Sequence, residues 1–79
     1  MNYEYKTSGT CSRSIRFQLE DGKVSAVRFD GGCSGNLQGI AALVEGMDKD
    51  EVIRRVKGIK CGFKSTSCPD QLARALEKI

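Results

Sequence analysis

Hydrophobic and polar residues alternate strictly from Ser14 to Glu20, with Ile15, Phe17 and Leu19 on one side and Arg16, Gln18 and Glu20 on the other. A period of two is the signature of a strand with one buried face. Tyr3 and Tyr5 repeat the alternation between Met1 and Lys6 and predict a short edge strand, its tyrosines serving sheet packing. Asp21-Gly22 is hairpin chemistry, and Lys23 to Asp30 returns as a third strand. In that strand the phase breaks: Val27 and Phe29 share one face while Val24 and Ala26 share the other. A bulge or a second buried face accounts for such a break.

The period then changes to that of a helix. Leu37, Ile40, Ala41 and Val44 recur at i, i+3, i+4 and i+7, with Asn36 as the expected N-cap and Gly46 as the stop. Asp48-Lys-Asp-Glu51 has capping-box spacing for a second helix whose apolar side carries Val52, Ile53 and Val56, and Gly58 ends it. Arg54, Arg55 and Lys57 form that helix's solvated face. A final helix is expected from Pro69 to Ile79, with Leu72, Ala75, Leu76 and Ile79 inward. Proline is favoured in a first helical turn, and Ser67-x-x-Asp70 again has capping-box spacing, with Asp for the usual Glu or Gln. Strands first and helices afterwards predict an α+β domain spanning 1–79: a small antiparallel three-stranded sheet followed by about three helices packed on one face.

Composition narrows the function. A 79-residue chain has a marginal core, and chains of this size often add a metal, a disulfide or an oligomer interface. The formal charge is only +3, with Lys and Arg scattered among Asp and Glu, so no basic stripe points to nucleic acid. No run reaches transmembrane length, and Met1 to Lys6 lacks the apolar core of a signal peptide. These features predict a cytoplasmic chain, where stable structural disulfides are unusual. A monomer is expected, or a weak homodimer through the exposed first strand.

Four cysteines and no histidine change the picture most. The absence of histidine removes Cys-His and Ser-His-Asp catalysis together, and no catalytic residue is assigned. Cys11, Cys33, Cys61 and Cys68 all fall in connections or at the starts of elements, two of them at expected helix starts. Helix N-termini favour thiolates, and the thiolate is the form that binds metal. Four such ligands close a tetrahedral site for Zn²⁺, or hold iron or an iron–sulfur cluster. The spacing contains no Cys-x-x-Cys knuckle, so two other readings stay open: a redox dithiol of Cys61 and Cys68, and free cysteines serving as small buried hydrophobes. The Gly31-Gly-Cys-Ser-Gly-Asn36 loop has the composition of a phosphate cradle, but no P-loop lysine follows, and turn geometry accounts for its glycines. Asp70 is expected to act as a cap, with a ligand or base role as the alternative.

Thr66-Ser67-Cys68-Pro69-Asp70 resembles, letter for letter, the motif that names the TSCPD domain, and the Gly31-Gly32-Cys33 loop with Asn36 is similar to the small, free-standing, four-cysteine members of that family. The family also occurs as a C-terminal module of adenosylcobalamin-dependent ribonucleotide reductases. The resemblance therefore implies a link to ribonucleoside-diphosphate reduction, with a reductase or another redox protein as partner. A 79-residue chain has no room for a whole reductase, so any enzyme assignment would come only by that similarity. A looser resemblance is to U-type iron–sulfur scaffold proteins. It rests on Cys11-Ser-Arg-Ser-Ile-Arg-Phe-Gln-Leu19, the hairpin, Gly32-Cys33-Ser34 before a helix, and Cys68 before the last helix. It implies an iron–sulfur-scaffold-like fold in which Cys11, Cys33 and Cys68 converge. Ser12-Arg13 stands where that family has Gly-Asp, so its acidic ligand is missing, and Cys61 is additional.

Overall fold

Ile15, Phe17 and Leu19 build β2 (Ser12–Glu20), the central strand of an antiparallel sheet ordered β1-β2-β3, with β1 at Asn2–Lys6 and β3 at Lys23–Gly31. The structure is a computed structural model that describes residues 1–10, 12–32 and 34–79, Ser34 by its backbone. Tyr3 stands opposite Phe17 and Tyr5 opposite Ile15, and the Tyr3 and Phe17 rings stack with centroids 5.5 Å apart. Asp21 and Gly22 both take positive φ, 52° and 76°, the geometry of a hairpin turn whose twist matches its strands.

The phase break in β3 is a bulge. Arg16 faces Arg28 and Gln18 faces Ser25, so Phe17 alone stands against both Ala26 and Val27. One extra residue reverses the parity of the strand, and Val24 and Val27 therefore enter the same core. Ala26 takes the left-handed conformation, φ 52°, and its amide donates to Glu45 Oε1 at 2.9 Å. A second shift lies at the start of β2, where Ser12 faces Gly31 and Ser14 faces Asp30. Arg13 is the extra residue there, and the parity reversal leaves Ser12 buried.

Three helices follow: α1 (Ser34–Val44), α2 (Lys49–Val56) and α3 (Cys68–Glu77). Helix α1 begins two residues before the expected cap, so Asn36 lies exposed in its first turn. Leu37 and Val44 are buried and Ile40 and Ala41 half-buried, as their spacing requires. After α1 the chain turns at Gly46 and runs back along β3: the Gly46 amide donates to the Val24 carbonyl at 2.7 Å, and the Val24 amide to the Met47 carbonyl at 2.8 Å.

The expected capping box of α2 does not form. Asp48 occupies the cap position, but its carboxylate accepts from Lys23 Nζ at 3.1 Å, while Glu51 pairs with Arg54 and Arg55. The Arg55 bond outweighs burial and draws Glu51 below the ordinary carboxylate range. Exposed cations nearby thus compete for carboxylates that the spacing assigned to the backbone. Helix α3 ends before Ile79, which is exposed.

The core is closed by Ile15, Phe17, Val24 and Val27 from the sheet, Val44 from α1, Val52 from α2, and Leu72, Ala75 and Leu76 from α3. Helix α1 packs on β3, and α2 on α3. No described helix is long and apolar enough to cross a membrane.

Candidate cysteine site

The start of α3 is braced by bonds from several segments. Ser67 is extended, φ −150° and ψ 170°, and its hydroxyl accepts the Asp70 amide at 3.1 Å, which is half of a capping box. Cys68 is the first residue of the helix, and Pro69 follows where a missing N–H leaves no helical bond unmade.

Asp70 does not turn back to complete the box. Its side chain is 1% exposed, and its carboxylate accepts from the Gly58 amide at 2.7 Å, from Arg74 Nε at 2.9 Å and from the Thr66 hydroxyl. Burial pushes the Asp70 carboxyl upward, but the bonds from Thr66, Gly58 and Arg74 outweigh it and hold the group below the ordinary carboxylate range. With those donors in place and almost no exposure, the Asp70 carboxylate is committed to hydrogen bonds within the fold. It is a brace between the end of α2 and the start of α3.

Thr66 and Gln71 extend the brace to the N-terminal turn. Gln71 Nε2 donates to Thr66 Oγ1 at 2.9 Å, and the Ser8 amide donates to Gln71 Oε1 at 3.2 Å. The Thr66 hydroxyl thus accepts from Gln71 and donates to Asp70, one proton serving one acceptor. Gly9, φ 72°, passes so close that an added Cβ would lie 3.2 Å from Thr66 Cγ2.

Cys68 is half-buried, and its Sγ lies 3.2 Å from the hydroxyl oxygen of the buried Ser12. Behind it, Thr10 Oγ1 is 3.2 Å from Ser12 Oγ, and Thr7 Oγ1 donates to the Ser12 carbonyl at 2.6 Å. Cys61 is exposed; its amide donates to the Thr66 carbonyl at 3.1 Å, and its carbonyl accepts from the Lys64 amide at 3.0 Å. Both described thiols are free.

Of the four cysteines singled out by the sequence, Cys11 and Cys33 lie outside the described residues. Their neighbours are described. Ser12, next to Cys11, contacts Cys68 and is paired in the sheet with Gly31, two residues before Cys33. Gly31 and Gly32 have φ of 86° and 80°, so backbone conformation explains glycine at both positions. Among the described residues no group of three or more Cys, Asp or Glu side chains is gathered as for a metal.

Sequence reasoning missed Ser12, Thr66 and Gln71 as working parts of this region. Parity puts Ser12 on the solvent face, and only the bulge at Arg13 turns it inward. Gln71 carries one signal, a polar residue beside Leu72 on the helix's buried side.

No curated protein and no solved structure matches the chain. The likeness to iron–sulfur scaffold proteins gains no support from these comparisons. The TSCPD domain matches residues 1–79, every position from the first strand to the end of α3, and the bonds just described explain why Thr66, Ser67, Pro69 and Asp70 accompany Cys68 in its motif. The chain belongs to the TSCPD domain family.

Proposed function

We propose that this chain is a cytoplasmic metal-binding accessory module, with Cys11, Cys33, Cys61 and Cys68 as thiolate ligands for Zn²⁺ or an iron centre. The observation that carries the reading is the junction at Ser12. It follows Cys11 in the chain, touches the Cys68 sulfur at 3.2 Å, and pairs with Gly31 just before Cys33. Cys61 belongs to the same neighbourhood through its backbone bond to Thr66.

The donor chemistry fits. Four sulfurs and no histidine match the ligand set of a closed tetrahedral site, which suits a structural or storage role better than transfer. A metal there would cross-link the first turn, the β3–α1 loop, the α2–α3 loop and the start of α3, so binding would add to folding stability.

Elemental analysis of anaerobically purified protein tests the proposal. About one zinc, or one iron centre, per chain is expected, and Cys68→Ser should lower retention. Unchanged stoichiometry in that variant argues against the ligand set.

The exposure of Cys61 favours a second reading, in which Cys61 and Cys68 exchange thiols with a ribonucleotide reductase or another redox protein. Metal-free protein with four titratable thiols and reversible oxidation of that pair would support it.

A further inference from the structure

We infer that Ser12 is the hydrogen-bond donor that orients the Cys68 sulfur toward a bound metal. The inference rests on the metal-binding reading above.

Ser12 Oγ and Cys68 Sγ are 3.2 Å apart, and in the free thiol either atom can donate. A metal removes that freedom. A ligating cysteine is a thiolate without a proton, so across this contact the sulfur can only accept. The single Ser12 proton then points at sulfur, and Ser12 Oγ keeps its lone pairs for an incoming donor.

Thr10 holds a hydroxyl within reach of both Ser12 oxygens. Its Oγ1 lies 3.2 Å from Ser12 Oγ and 3.2 Å from the Ser12 carbonyl. Thr7 Oγ1 also donates to that carbonyl at 2.6 Å, and a carbonyl oxygen with two lone pairs accepts both.

Ser12 is also well held. It is 4% exposed, its backbone is paired with Gly31 in the sheet, and the bulge at Arg13 turns it inward. A donor fixed in this way sets the direction of the sulfur lone pairs and withdraws charge from them, which is how groups behind a ligand tune a metal site.

Co²⁺ serves as the probe, because a thiolate site gives it a sulfur-to-metal charge-transfer band. Ser12→Ala should weaken Co²⁺ affinity about 10–100-fold. It should also move the band to lower energy, because sulfur lone pairs that lose a donor rise in energy. Ser12→Thr, which keeps the hydroxyl, should restore both, and the thermal midpoint of each metal-free variant reports packing separately. Ser12→Ala with wild-type affinity and band position overturns the inference and leaves the metal reading intact. Lost affinity that Thr fails to restore, matched by a fall in the metal-free midpoint, assigns Ser12 to packing and overturns it as well. A wild-type protein that takes up no Co²⁺ overturns the inference and the metal reading together.

Discussion

Replacing Asp70 by Asn changes a few atoms at the point where three segments are tied. The carboxylate, 1% exposed, accepts from the Gly58 amide at 2.7 Å, from Arg74 at 2.9 Å and from the Thr66 hydroxyl. Asparagine keeps one acceptor oxygen and turns the other into an NH₂ group facing groups that also donate. If the oxygen stays with Gly58, the new NH₂ group replaces the acceptor of the Thr66 hydroxyl, whose proton is left unpaired. A hydrogen bond to a charged group contributes about 1.5–3 kcal/mol, and a buried donor left unpaired costs a similar amount. Arg74 is half-exposed and its pair adds only about 0–1 kcal/mol. Losing the Thr66 bond and weakening that of Gly58 therefore costs about 3 kcal/mol. A chain of 79 residues has a total stability of about 4–12 kcal/mol.

The assay is urea unfolding of reduced, metal-free protein, followed by far-ultraviolet circular dichroism. At roughly 1 kcal/mol per molar urea, the midpoint of Asp70→Asn should fall by about 3 M at pH 7. The pH dependence follows from the depressed carboxyl. Its contribution is fully present above the unfolded-state value of about 3.9 and disappears as pH falls through the lower folded-state value. The gap between wild type and variant should narrow there. Arg74→Ala should cost about 1 kcal/mol at most, well below Asp70→Asn. An Asp70→Asn midpoint equal to wild type at pH 7 would refute the brace.

Other positions give sharper backbone tests. Ala26→Gly should stabilise the domain by about 1 kcal/mol in thermal or urea unfolding, because φ 52° strains an alanine and not a glycine. A destabilised variant would contradict the bulge. Gly9→Ala should destabilise, since φ is 72° and the new Cβ would meet Thr66 Cγ2 at 3.2 Å; wild-type stability would contradict that approach. Leu72→Ala, at a fully buried position of α3, should cost about 2–5 kcal/mol. A midpoint near wild type would place Leu72 outside the core.

The architecture was legible because periodicity carries it. Ile15, Phe17 and Leu19 specify a strand, and Leu72, Ala75 and Leu76 a helix, whatever surrounds them. The bulge at Ala26 was legible as a parity conflict, since Val24 and Val27 cannot share a face without an extra residue. The bulge at Arg13 was not, because Ser12 and Ser14 are polar on either face and produce no conflict.

Capping depends on competition that spacing does not contain. Ser67 caps α3 as read, whereas Asp48 is claimed by Lys23, a residue 25 positions away. Asp70 shows the same limit from the other side: its first-turn position suggested a cap, but its partners Gly58 and Thr66 come from the loop before the helix. The sequence expects its four cysteines in connections or at the starts of elements, and Cys68 does open α3. Which hydroxyl meets which sulfur is a tertiary property, and Ser12 emerged only from the fold.

The most direct test of the central claim is the metal content of the wild-type chain purified without oxygen, read with its absorption spectrum and set against Cys68→Ser. The account predicts about one zinc or iron centre per chain, lost or much reduced in the variant. Protein that carries no metal and takes none up under those conditions, with all four thiols titratable, would contradict it.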